Sequence, residues 1–312
     1  MKKKYKFIIY VVFCSIFTEI DAQKLIFSPF PKDASKMTVV DSGNIRILYA
    51  LNAVDISKIA TYADLQCLEI GEHLSKYYSR FIYESDSLCT DWKKKHPHAQ
   101  NSPTMMGALS DFYKSGMWSE YQWSEYFKDF SKNTFIEYAR MPRDISDYFS
   151  SENISVQDWK FFDDTLSVLG YLCQKATCQF RGRDYIAWFA LEIPINNGPW
   201  KFGGLPGLIL KIYDTAHNYI FECIEIKHHK DKYYIRQYDD YNNYSKLERK
   251  KLLKFQKDIH EDYPKISGWI ITNLDGTPAV FEKITYYPIE LEKKFNYGKY
   301  NLFIGESTTT CI

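Results

Sequence analysis

Arg181 and Arg183 stand two residues apart around Gly182. A guanidinium presents a planar fork of donors, so two beside a tight turn suit a carboxylate or phosphate. The same pair also reads as exposed turn residues, or as arginines paired with Asp184 and Glu192. Trp188 and Trp200 follow closely. They fit an aromatic wall for a sugar or lipid, or plain strand packing. His96-x-His98 and His228-His229 lack the acidic or cysteine partners of a defined metal site. There is no Gly-x-Ser-x-Gly elbow, no His-Glu-x-x-His and no phosphate-cradling loop. No metal and no cofactor is expected. Cys173 and Cys178 have no histidine close by in sequence, and a thiol nucleophile needs a base assembled in the fold.

These residues sit on what reads as an antiparallel meander. Residues 166–180 read as a strand interrupted at Gly170, Arg181 to Asp184 as a hairpin turn with Gly182 at positive φ, and 185–193 as the return strand. Asn196 to Pro199 is a turn by composition. Strands follow at 208–213 and 219–227. Connections this short leave no room for parallel crossovers. Upstream, 37–54 reads as a strand with a Ser-Gly-Asn break at 42–44. Residues 62–89 read as two strands joined near Gly71, and 134–138 as another strand. Residues 90–133 hold Lys93-Lys94-Lys95, Pro97 and Pro103, and read as a surface excursion with a short helix around 104–114. Downstream, 245–261 carries Leu247, Leu252, Phe255 and Ile259 at helical spacing, with Ser245 and Glu248 as a capping box. Residues 266–303 mix short apolar pieces with a turn at Asp275-Gly276.

Gly203-Gly204-Leu205-Pro206-Gly207-Leu208-Ile209 is the densest cluster of backbone-shaping residues. Glycine reaches angles closed to other residues, while proline fixes its own and donates no hydrogen bond. The cluster marks a forced bend into a buried strand, with a structural role.

The chain has 312 residues, 45% hydrophobic and 25% charged, with a formal net charge of +1. A full core can be built, and nothing in the charge balance argues for nucleic acid. The 26 Tyr and 21 Phe favour half-buried strands. Lys2, Lys3, Lys4 and Lys6 precede the apolar run 7–17, and Ala22 follows a polar stretch. That is the pattern of an export signal, cleaved before Gln23. The run is too short for a bilayer, which takes about 20 residues, and no later segment qualifies. Cys14 lacks the small preceding residues of a lipidation site. Cys67, Cys89, Cys173, Cys178, Cys223 and Cys311 remain in the mature chain, and an oxidising compartment predicts at least one disulfide of open connectivity. The expected organisation is a signal peptide at 1–22, an antiparallel β domain at 23–235 with the 90–133 insertion, and a helix plus C-terminal extension at 236–312.

Ordered motifs resemble the GLPGLI family of secreted Bacteroidetes proteins. They run through Ser75 to Ser79, Ser85 to Leu88, Trp159, Gly170 to Ala176 and Phe180 to Arg183. They continue at Ala187 to Phe189, Ile193 to Ile195, Gly198-Pro199 and the naming motif. Pro288-Ile289-Glu290-Leu291-Glu292 is similar to the family's closing segment, with Tyr287 where an Asn is expected. The resemblance implies a mainly β fold with some α. Its expected form is a curved antiparallel sheet, like the open half-barrel of periplasmic lipoprotein carriers, with a C-terminal helix. It implies no activity. The resulting expectation is an exported protein, periplasmic or outer-membrane associated, that binds an apolar ligand or a partner protein without catalysis. Arg181, Arg183, Trp188 and Trp200 are its candidate ligand contacts. A hydrolase with a site assembled only in the fold, and a structural partner of an outer-membrane complex, are the alternatives.

Overall fold

The computed structural model describes residues 29–98, 123–268 and 285–291. The export segment, the helix expected at 104–114, the Asp275-Gly276 turn, Cys14 and Cys311 lie outside them. Twelve strands form one curved, unclosed sheet in the order β12-β6-β5-β4-β3-β2-β1-β11-β10-β9-β8-β7. Two sequential meanders account for it. β1 (Met37–Leu51) leads through β2 (Asp64–Gly71), β3 (Leu74–Ser79), β4 (Ser124–Asp129), β5 (Thr134–Ala139) and β6 (Tyr148–Asn153). The second comprises β7 (Lys160–Val168), β8 (Tyr171–Phe180), β9 (Arg183–Ala190), β10 (Leu208–Asp214) and β11 (Ile220–Tyr238). The long strands β1 and β11 pair antiparallel and join the two halves. Two-residue β12 (Ser245–Lys246) adds a parallel edge to β6.

The mainly β, antiparallel architecture expected from the sequence is present. Several local expectations change. The Ser-Gly-Asn break is a register shift inside β1, where a Cβ on Gly43 would lie 1.9 Å from the Ile70 carbonyl oxygen. Gly170 does not interrupt one strand. Leu169 (φ 50°) and Gly170 (φ 82°) form the turn between β7 and β8. Residues 80–95 are helix α1 (Arg80–Lys95), entered after β3. Ser79 caps it by accepting from the Ile82 amide at 3.2 Å, and Phe81, Ile82, Ser85 and Cys89 form its buried stripe. The expected excursion also contains β4. Helix α2 (Arg249–Glu261) starts after Glu248, not at Ser245, because Ser245 is bonded into the sheet edge beside Tyr148. The short α3 (Tyr263–Ser267) follows.

One face of the sheet carries the main core, including Ile47, Tyr49, Leu68, Phe189 and Phe221. The chain between β9 and β10 packs here and buries Trp200, Phe202 and Leu205. Fully burying an aliphatic or aromatic side chain of this size contributes ~1.5–3 kcal/mol. The other face is covered by α1, by residues 29–36 and by the 3-10 turn at Asp239–Asn243. Cys67, Cys89, Cys173, Cys178 and Cys223 are buried free thiols. The disulfide expected from the compartment does not form among the described residues. These cysteines are spent as small apolar side chains in the packing.

Candidate functional site

The β8–β9 hairpin turns as the sequence predicts. Arg181 (φ 49°) and Gly182 (φ 83°) both take left-handed backbone, the signature of a two-residue type I′ loop. Neither arginine is left as an open clamp. Arg181 Nη2 donates to Glu152 Oε2 at 2.7 Å and to Ser155 Oγ at 2.9 Å. Arg183 donates to Asp214 Oδ2 at 2.8 Å, Ile289 O at 3.0 Å and Pro288 O at 2.7 Å. Their partners are thus Glu152, Asp214 and a strap at 285–291, in place of Asp184 and Glu192. Trp200 is 1% exposed, between Phe180 and Phe202. Trp188 is half-buried and packs against the main core cluster, with Lys175 Nζ 6.0 Å from its ring centroid. Trp200 lies inside that cluster and Trp188 at its margin.

The bend at 203–209 is a structural joint. Gly204 has φ 83°. A Cβ on Gly207 would lie 2.1 Å from the Ala190 carbonyl oxygen. Trp159 Nε1 donates to Gly203 O at 2.8 Å, and the Gly203 amide donates to Gln157 Oε1 at 3.1 Å. Leu208 and Ile209 are fully buried, and Pro206 is exposed. Lys128, reaching from β4, pins the same region. Its Nζ donates to Asn197 Oδ1 at 2.8 Å, Gly198 O at 3.4 Å and Phe202 O at 2.5 Å. Burial pulls its pKa down to about 7.

Beneath the strap lies a buried charge cluster. Lys201 bridges Glu152 Oε1 at 2.7 Å and Glu290 Oε1 at 2.5 Å, and Arg249 also bonds Glu290. Burial opposes ionisation of Glu152, but Lys201 and Arg181 outweigh it and hold its pKa below the usual range. Burial raises that of neighbouring Glu137, which accepts from Ser124 Oγ at 3.0 Å. The adjoining cavity is small, about 80 Å3. Burial also pushes the thiols of Cys67, Cys178 and Cys223 up to about 12, and of Cys89 and Cys173 to about 11. A protonated, buried thiol is a poor nucleophile. His96 stacks on Trp92, and His229 tilts against Tyr233.

A larger cleft, about 320 Å3, opens on the opposite face. Arg46, Glu69, Lys76 and Tyr78 from β1, β2 and β3 form its floor. Arg80 and Tyr83 of α1 form one wall, and Tyr233, Tyr234 and Arg236 of β11 the other. Register builds it: Arg46 pairs across from Glu69, and Glu69 from Lys76. Arg46 grips Glu69 Oε1 through Nε at 3.0 Å and Nη2 at 2.7 Å, and lies 4.7 Å over the Tyr233 ring. Lys76 pairs with Glu125 at 2.7 Å, and Arg80 with Glu84 at 2.8 Å. Arg236 is exposed, and its guanidinium has no partner among the described residues. Beside it Tyr234 is 61% exposed. Three cations are neutralised and one is free, among tyrosines that burial keeps protonated at Tyr78 and Tyr233. Such a surface can hold an anion and stack a ring. The sequence named none of these as site residues, although Lys76 and Tyr78 lie in the Ser75 to Ser79 motif. Its one further signal was charge at Arg46, Glu69 and Lys76 within strands.

A family model described as N-glycanase peptide, N-terminal domain, matches residues 119–250. That stretch, under half of the chain, runs from β4 through β12 and includes Tyr233, Tyr234 and Arg236. Two solved structures of PNGF-II, in space groups P21 and C2, are each 13% identical with a TM-score of 0.44. Each match covers 69% of this chain and 33% or 32% of the other. This chain spans about one third of the length of those structures. No curated protein matches it.

Proposed function

We propose that this chain is an exported, non-enzymatic binding protein of the GLPGLI type, and that it takes a carboxylate-bearing saccharide in the tyrosine–arginine cleft. The free guanidinium of Arg236 beside exposed Tyr234 carries this reading. A guanidinium fork suits a carboxylate, and a tyrosine ring suits the apolar face of a sugar. The N-glycanase description of the matching family supports a glycan as the ligand class. The apolar ligand expected from the export signal and aromatic strands fits this cleft poorly, because its floor is lined with charge and burying apolar groups there leaves polar atoms unsolvated. Among the described residues, Glu152 and Glu290 are held in ion pairs and the five thiols are buried, so these groups are poor candidates for hydrolytic chemistry.

Isothermal titration with a sialylated N-glycan and its desialylated counterpart tests this. The acidic glycan should bind and the neutral one bind weakly. Arg236→Ala should weaken the acidic glycan by ~10–100-fold, the size of one charge-assisted contact. Equal binding of the two glycans, or an unaffected Arg236→Ala variant, overturns the reading.

A further inference from the structure

The sheet ends at β7, and nothing among the described residues pairs with its outer edge. Eight of its nine residues are exposed, Val168 alone being buried. Phe161 is 52% and Phe162 41% exposed. Phe161 meets Phe189 edge-on at 5.9 Å on the core face, while Phe162 lies 5.2 Å from Lys175 Nζ on the other. A register shift between Phe162 and Thr165 bulges Asp163 and Asp164 out of the ladder with β8. Asp164 reaches Lys175 at 3.4 Å, and Asp163 has no partner among the described residues. An unpaired edge with apolar side chains is a template for an incoming strand.

We infer that the β7 edge docks an extended segment of a partner protein, apolar beside Phe161 and Phe162 and carrying lysine or arginine opposite the Asp163–Asp164 bulge. Charge selects the occupant. A second copy pairing antiparallel about the strand centre would set Asp164 against Asp164 and Asp163 against Thr165. Like charges directly opposed disfavour that pairing. A basic strand meets both carboxylates and also gains the free backbone bonds. This surface lies on the far edge of the sheet from β6, and its occupancy is independent of the glycan cleft.

The test uses the full mature protein and a fluorescein-labelled peptide of alternating valine and lysine, about eight residues long. Fluorescence polarisation should show binding by the parent. Asp163→Lys/Asp164→Lys should weaken it about tenfold, the effect of reversing two exposed pairs. A peptide N-methylated at every residue should not bind, because it offers no backbone donor to the ladder on either edge. Arg236→Ala, in the separate cleft, should bind like the parent. Circular dichroism confirms that each variant is folded. No binding by the parent, equal binding by the N-methylated peptide, or equal binding by the charge-reversed variant each overturns the proposal.

Discussion

Gly207 and Gly170 separate two reasons for a glycine, and replacing each with alanine measures them apart. Gly207 does not adopt a left-handed φ; its constraint is space. A Cβ there would lie 2.1 Å from the Ala190 carbonyl oxygen and 2.6 Å from its carbon. Real Cβ contacts stay above about 3.0 Å, so β10 must retreat from β9 by roughly 0.9 Å. It has little freedom to do so. The Leu208 amide is bonded to Ile193 O at 2.9 Å, Leu208 pairs with Ala190, and Leu208, Ile209 and Leu210 are fully buried. Overpacking against rigid backbone costs ~1–3 kcal/mol or more, and the upper end applies because backbone meets backbone. Gly170 is the converse, with φ 82° and nothing within 4 Å of an added Cβ. Its penalty is the left-handed conformation, ~1–2 kcal/mol, offset by ~0.4–1 kcal/mol from the stiffer unfolded chain. Urea unfolding followed by tryptophan fluorescence should therefore show Gly207→Ala destabilised by about 3 kcal/mol. Its Tm should fall by about 6–12 °C. Gly170→Ala should lose about 0–1.6 kcal/mol, the difference of those two terms. Equal losses, or a Gly207→Ala variant as stable as the parent, would refute close approach as the reason for that glycine.

Two further outcomes follow from burial. The folded pKa of Lys128 is about 7, below the ordinary 10.5, so between these values the unfolded chain holds the extra proton and stability rises with pH. The full span is worth at most about 5 kcal/mol, less whatever the three oxygens on Nζ return by favouring the ammonium. Lys128→Met should remove this part of the slope, read as the difference between parent and variant at pH 7 and pH 8.5; identical slopes would contradict it. The five described cysteines should resist alkylation in the native protein and all react in denaturant, and fewer than five free thiols in denaturant would show a disulfide that this packing does not contain.

Local chemistry was legible in the chain itself. Positive φ at Gly182, the turn around it and the bend before Leu208 follow from what glycine and proline permit at their own positions. The alternating apolar strands follow from the two-residue period of the pleat. The burial of Leu205, Leu208 and Ile209 was equally readable, because such side chains offer only apolar surface. Helix α1 shows where this reasoning fell short. Phe81, Ile82, Ser85 and Cys89 repeat at helical spacing behind a Ser79 cap, but aromatic residues beside them gave a strand-like composition. Partners were beyond reach. Arg181 and Arg183 find Glu152, Asp214 and the strap, the last more than a hundred residues away. The cleft needs Arg46, Glu69 and Lys76 in one cross-strand row, and a slip of one residue in any pairing would send that row to the other face. Backbone preference is a property of neighbouring residues, whereas register, ion-pair partners and the shape of a cleft arise only when distant strands are laid side by side.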